Sequence, residues 1–213
     1  MKNSDLKTLG IVLKRINYGE ADRILNLLTP EGKVTVMAKG VRRERSKMAG
    51  GIEMFCLSKM MLRAGRGEFY TLTGAKMEKF YGGILKDWGR MELAGEILRK
   101  VNKIEILDGQ EYFDLVLQCL EGLDQGGEPE LIRGWFLVNL ARVRGEEMNL
   151  YRDRAGEKLV AGEKYDWDLR EEVFFRSEAG RWGTNEIKML RVLTTMKLKT
   201  VQKVKVAEET RER

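Results

Sequence analysis

Histidine is absent from all 213 residues. That excludes histidine general bases, histidine-dependent triads and histidine-ligated zinc. Cysteine occurs twice, at Cys56 and Cys119, which allows neither a Cys-x-x-Cys knuckle nor a disulfide framework. Each reads as a small buried hydrophobe. Two prolines, Pro30 and Pro129, provide no proline-rich linker between domains. No apolar run approaches the roughly 18–20 residues that cross a bilayer. The early stretch Leu9–Leu13 is closed by Lys14 and Arg15 and is too short for a signal-peptide core. These features predict a soluble, cytoplasmic chain with no membrane partner. No Gly-x-x-x-x-Gly-Lys loop and no Gly-x-Gly-x-x-Gly fingerprint occurs, so nucleotide-driven chemistry has no motif.

Charge is present, and it is unevenly distributed. The chain carries 39 Lys and Arg against 33 Asp and Glu, a net charge of +6. Residues 1–80 hold 16 basic and 8 acidic residues, and the remainder holds 23 and 25. The positive field therefore belongs to the N-terminal third. Such a field attracts polyanions by counterion release and steers their encounter.

The apolar pattern changes period at about residue 80. Before it, five segments carry strand signals: Leu6–Asn17, Arg23–Thr29, Lys33–Lys39, Ile52–Arg63 and Glu68–Met77. Pro30-Glu31-Gly32 supplies turn chemistry between the second and third. Ala64-Gly65-Arg66-Gly67 reads as the hairpin loop between the last two. Five strands with no helix-length insertion suit a small barrel that closes its own edges, an oligonucleotide-binding (OB) fold. Beyond Phe80 the spacing is helical, as in Leu93, Ile97, Val101 and Ile104, then Phe113, Val116, Leu117 and Leu120, then Leu131, Trp135 and Val138 after Pro129. A last helix is expected over Glu186–Met196, with Thr184 as N-cap. Leu150–Gly183 is irregular, and the tail after Lys197 is expected to fray. The expected architecture is α+β: an OB barrel over residues 1–80, then a mainly helical domain over 81–213.

One constellation is sharp. Between the third and fourth strands lies Lys39-Gly40-Val41-Arg42-Arg43-Glu44-Arg45-Ser46-Lys47, with five cations in nine residues. Met48-Ala49-Gly50-Gly51 follows and reads as flexible backbone that lets the loop conform to a partner. Arginine forms paired hydrogen bonds to phosphate oxygens, so the candidate nucleic-acid contacts are Lys39, Arg42, Arg43, Arg45 and Lys47, with Lys14, Arg15 and Arg23 on the strands. Tyr18, Phe69 and Tyr70 are candidates for base stacking. Two other readings compete. A metal-dependent nuclease would need clustered carboxylates, for which Glu20 and Asp22 are the nearest pair, although Arg23 beside them suggests a salt bridge. An RNA-binding OB module is the other.

The block from Gly10 to Arg43 resembles the N-terminal region of the bacterial RecO recombination mediators. The features that carry this are Tyr18-Gly19-Glu20-Ala21-Asp22-Arg23, Thr29-Pro30 with Gly32-Lys33, Ala38-Lys39-Gly40 leading into Arg42-Arg43, and Ser46 with Gly50-Gly51. The resemblance implies an OB barrel joined to a helical domain. It implies binding to single- and double-stranded DNA at the Lys39–Lys47 loop and nearby strand cations, and annealing of complementary strands. It further implies work with RecR to load RecA onto strands coated by single-stranded-DNA-binding protein, at the bacterial nucleoid and without catalysis. Many members carry a four-cysteine zinc site in the C-terminal domain. The corresponding Leu150–Gly183 has no cysteine, so neither zinc nor any other cofactor is expected. Arg133, Arg142 and Arg144, on a helix with Trp135 and Phe136, are candidates for holding the coating protein's acidic tail.

Overall fold

The computed structural model describes residues 5–65 and 69–203. Arg66 and Gly67 of the expected hairpin loop, Glu68 at the start of the expected fifth strand and the end of the expected fraying tail (204–213) lie outside the described residues. Two compact units result, residues 1–126 and 127–213. In the first, strands β1 (Leu6–Tyr18), β2 (Asp22–Thr29), β3 (Gly32–Ala38), β4 (Cys56–Ala64) and β5 (Tyr70–Phe80) close a barrel in the order β1-β2-β3-β5-β4. All pairs are antiparallel except β3–β5, which closes the ring through Val36 opposite Tyr70 and Met37 opposite Thr71. The expected α+β class and the closed five-stranded OB barrel are both present.

Strand alternation fills the interior. Val12, Leu25, Leu27, Val36, Ala38, Met60, Leu62 and Leu72 point inward, joined by Val41 and Ile52 from the β3–β4 connection. In β1 the run Ile11-Val12-Leu13 is buried throughout, which simple alternation would not allow. Ile11 lies outside the interior cluster, on the strand that α1 covers, and a bulge accounts for Leu13. Val12 stands opposite Leu27 and Lys14 opposite Asn26, so Leu13 is an extra residue. β4 begins at Cys56 and not Ile52, because Ala49–Ile52 forms a 3-10 turn. The expectation of flexible backbone at Met48–Gly51 is corrected by the same turn. A Cβ on Gly51 would lie 2.7 Å from the Ala75 carbonyl carbon, so the glycine permits close contact with β5.

The unit continues past Phe80 through helices α1 (Trp88–Asn102) and α2 (Gln110–Asp124). The Asp87 side chain caps α1 by accepting from the Arg90 N–H. α1 packs on β1 and α2 on β2. Lys33 of β3 donates its ammonium hydrogens to the Asn102 and Ile104 carbonyls, completing the C-terminal end of α1. Burial lowers the Lys33 pKa, against the opposing effect of Glu105. The β2–β3 turn nests in the α1–α2 connection, where the Lys33 N–H donates to the Ile106 carbonyl at 3.1 Å.

The second unit holds α3 (Pro129–Val143), a hairpin of β6 (Tyr165–Asp168) and β7 (Val173–Arg176), α4 (Thr184–Thr195) and the single turn α5 (Leu198–Val201). Pro129 occupies the first turn of α3, as expected. Leu150–Gly183, which sequence periodicity left irregular, is organised by aromatic packing. Tyr165, Trp167 and Trp182 each meet Phe174 edge to face, with centroids 4.8–6.4 Å apart. Two helix-end expectations are corrected. Gly183, not Thr184, is the N-cap of α4, and its N–H donates to the Glu186 carboxylate. The Thr184 hydroxyl accepts from the Gly162 N–H instead. Leu198 and Val201 are buried, so the chain does not fray immediately after Lys197.

Gly109, at the start of α2, has no room for a side chain. A Cβ there would lie 2.1 Å from the Thr29 carbonyl oxygen and 2.5 Å from the Gly32 nitrogen. Gly109→Ala is expected to destabilise the first unit by about 1–3 kcal/mol, through overpacking against backbone. Urea denaturation followed by circular dichroism measures the shift.

Candidate nucleic-acid interface

The basic loop is built on the β1–β2 turn. Gly19 adopts φ of +55°, which turns the chain tightly after Tyr18. Three hydrogen bonds then secure the base of the loop to this turn. The Gly40 N–H donates to Asp22 Oδ1 at 2.7 Å, the Arg42 N–H to the Ala21 carbonyl at 2.9 Å, and the Arg42 guanidinium to the Gly19 carbonyl at 3.1 Å. Val41 plugs into the barrel core and Met48 packs against it at the far end of the loop. With both ends anchored, Lys39, Arg42, Arg43, Arg45 and Lys47 are exposed. The chain turns back on itself there, with Arg43 N–H to Gly40 and Ser46 N–H to Arg43.

The strand cations divide by face. Opposed residues in a ladder share a face, and residues two apart along a strand do too. Arg15 stands opposite the core residue Leu25, and Arg23 precedes Leu25 by two. Both arginines therefore lie on the inward face, at the end of the barrel. Glu53 meets them there, with Arg15 Nη1 2.6 Å from Oε2 and Arg23 Nη1 3.9 Å from Oε1. Arg23 Nε also donates to Asn17. In place of the salt bridge expected between Arg23 and the Glu20 and Asp22 pair, Asp22 accepts from Gly40 and Arg23 serves Asn17 and Glu53. Lys14, opposite Asn26, is exposed on the outer face.

The aromatic candidates also separate. Tyr18 is 55% exposed and adjoins Gly19, whose carbonyl holds Arg42, so an aromatic ring and the loop cations flank one turn. Phe69 is 45% exposed, whereas Tyr70 packs against the barrel core opposite Val36. These two start a different strand from the one that ends at Tyr18. In the second unit Trp135 is 3% exposed and donates from Nε1 to the Met196 carbonyl, and Phe136 is buried beside it. Neither ring is a surface contact. Arg133 is ion-paired with Glu130, while Arg142 and Arg144 are exposed, the latter paired with Glu146.

Glu53 is the residue that the sequence pattern did not reveal. It lies in an irregular segment, and its role follows only from the β1 bulge that turns Arg15 inward. Both cysteines are buried, as expected, and burial raises each thiol's pKa. Among the described residues, no group of three or more Asp, Glu or Cys is arranged to hold a metal ion, and no helix is long and apolar enough to cross a membrane. The assembled chemistry is a cluster of fixed and projecting cations beside one exposed ring, suited to binding a polyanion by charge.

Comparison with known proteins gives the same direction. Residues 1–81 match the family model described as Recombination protein O N terminal, and residues 108–213 match Recombination protein O C terminal. A protein named DNA repair protein RecO from Dehalococcoides mccartyi (strain CBDB1) is 34% identical over 153 residues, covering 70% of this chain and 60% of that protein. Another of the same name from Acetivibrio thermocellus is 36% identical over 119 residues, 55% of this chain and 47% of that one. A third, from Roseiflexus sp. (strain RS-1), is 28% identical over 153 residues, 71% and 54% respectively. The matched stretch thus spans about three fifths or less of these relatives' length.

Asp22→Ala removes the acceptor for the Gly40 N–H. It is expected to cost roughly 1 kcal/mol and to speed amide hydrogen exchange at Gly40 and Arg42, with no change at the buried amides of β4. Exchange read by nuclear magnetic resonance tests this.

Proposed function

The chain belongs to the RecO family, and from that premise we propose that it is a non-enzymatic recombination mediator whose barrel binds DNA through the Lys39–Lys47 loop. The observation that carries this reading is the anchoring of five exposed cations beside Tyr18 by three hydrogen bonds to the β1–β2 turn. Phosphates would be neutralised by Lys39, Arg42, Arg43, Arg45 and Lys47, with Lys14 extending the path on the outer face. Tyr18 offers a ring for base stacking, worth about 1–3 kcal/mol per base. Phe69 is a further ring for stacking, and Tyr70 supports it from the core.

Arg15 and Arg23 act differently from the loop cations. Their pairing with Glu53 leaves them partly neutralised, so a phosphate reaching the barrel end must compete with a carboxylate already in place. Such half-exposed pairs are worth up to about 1 kcal/mol, a modest barrier that tunes affinity without closing the site. Weak, reversible contact suits annealing, because two polyanions must be brought together and then released as a duplex. No bond is made or broken by the protein in this scheme.

The wider role includes cooperation with RecR, displacement of single-stranded-DNA-binding protein from coated strands, and through these the loading of RecA. Capture of the coating protein's acidic tail would fall to the surface of α3. There Arg133, Leu137 and Arg144 follow the three- and four-residue spacings of one helix face, and Leu137 is 41% exposed.

Strand annealing with and without the host's coating protein is the direct test: acceleration without strand scission in magnesium or manganese supports the mediator, and scission overturns it. If five loop cations contact a single strand, log affinity should fall with log salt at a slope of about −3.5. Arg42→Glu with Arg43→Glu should weaken binding to all sequences alike and flatten that slope to about −2. Glu53→Gln should do the opposite at low salt, tightening binding as Arg15 and Arg23 are released.

A further inference from the structure

The barrel carries a second cationic feature, away from the basic loop. On the outer face of β1, β4 and β5, two rows of side chains lie side by side. In one row Leu9 stands opposite Lys59, and Lys59 opposite Lys76; in the next, Lys7 stands opposite Met61, and Met61 opposite Gly74. Lys59 and Met61 flank Met60, which is buried in the barrel core, so both rows face outward. At two residues' separation the rows are roughly 7 Å apart along the strands, and the three strands span roughly 10 Å. These residues line an open groove of about 700 Å³.

Its floor and rim differ in chemistry. Gly74 has no side chain, and Met61 leans over the space, with its sulfur 3.3 Å from where a Cβ on Gly74 would lie. Met61 is 49% exposed, an apolar and polarisable surface that shares this face with Leu9. Lys7, Lys59 and Lys76 surround it. The opposing carboxylates are few. Glu78 pairs with Lys59 at 2.8 Å and also lies in the field of Lys76; the Lys59 hydrogen bond holds its carboxyl below the usual range. Asp5 faces Arg63 at 3.8 Å, further along the same face of β4. Glu31 reaches the groove's edge, accepting from the Thr8 hydroxyl at 2.6 Å. Among the described residues, four cations against three carboxylates leave the groove positive.

We infer that this groove holds a second single strand of nucleic acid, with phosphates on Lys7, Lys59 and Lys76 and base faces against Met61 and Leu9. The inference rests on the reading of the barrel as an annealing protein, and it supplies what that reading lacks. One cationic loop grips one strand, whereas annealing needs two strands on the same protein. Lys7 is eleven residues from Tyr18 along β1, so the groove and the loop occupy different parts of the barrel. Glu78, like Glu53 at the first site, moderates the grip and lets the paired product leave.

The test uses the full chain, with Lys7→Glu and Lys76→Glu combined. Both residues are exposed, and an unchanged thermal midpoint shows that the barrel is intact. A labelled oligothymidine should bind the unmodified chain at two strands per protein and this variant at one. Annealing of complementary strands should slow roughly tenfold or more where two phosphate-facing charges are reversed. Affinity for the first strand should persist in this variant and fall in Arg42→Glu with Arg43→Glu. Independently, Met61→Trp places a fluorophore on the groove floor, which should be quenched only as the second oligothymidine binds. Two strands per protein in the charge-reversed variant, or no quenching of Met61→Trp at any strand concentration, overturns the inference. Quenching by an acidic, leucine-containing peptide but not by DNA also overturns it, and assigns the groove to a protein partner. If the unmodified chain fails to anneal at all, the functional reading falls, while stoichiometry and quenching still decide the groove.

Discussion

A five-stranded barrel has an interior wide enough for apolar side chains and little else, and that exclusion organises the whole first unit. Among the described residues, ten buried apolar side chains fill the inside, with others packed against them. Each described cation of the N-terminal third must therefore stand on the outer wall, project from a connection or close an end. Arg42 and its neighbours project, because Val41 occupies the core and leaves them outside. Arg15 and Arg23 close an end: the bulge at Leu13 sets Arg15 opposite Leu25, and Arg23 lies two residues before Leu25 on β2. Lys7, Lys59 and Lys76 stand on the wall. The same excess of positive charge is thus delivered in three geometries with different freedom and different local counter-charge.

Those geometries also set what each group can contribute. The loop cations are exposed, so their interaction with a polyanion is long-ranged and falls as salt rises. The end arginines are partly shielded and share Glu53, which fixes their direction and reduces their net charge. Under the annealing role proposed above, both would be of use, since tight neutralisation everywhere would hold the product. The carboxylates Glu53 and Glu78 are as informative about this balance as the lysines and arginines around them.

Much of the barrel was legible from alternation and turn chemistry. β2 and β3 fall within a residue of their expected limits, because Pro30-Glu31-Gly32 marks their turn and Val34, Val36 and Ala38 alternate cleanly. The start of β4 was not legible, since Ile52 contributes an inward side chain from a 3-10 turn that mimics the strand pattern. Glycines at 50 and 51 look like freedom in a sequence, yet Gly51 marks a place where two backbones touch. The basic loop was visible as composition, but its anchoring through Asp22 and the turn at Gly19 depends on contacts across the barrel. Around Leu150–Gly183 periodicity is weak because Phe174 is held by two rings of the four-residue strand β6 and by Trp182 from a separate segment.

The seam between barrel and helices in the first unit has a consequence for how this chain can be divided. Ile11 and Leu28 face each other across β1 and β2, fully buried yet outside the interior cluster, on the strands that α1 and α2 cover. Lys33 and the turn at Gly32 are fastened into the far side of the same seam. A fragment cut after Phe80 would keep every strand of the barrel but would carry a bare oily wall and a lysine stripped of its carbonyl partners. Such a piece would cling to itself in solution, so the smallest sound excerpt of this protein is the barrel together with the pair of helices that roof it.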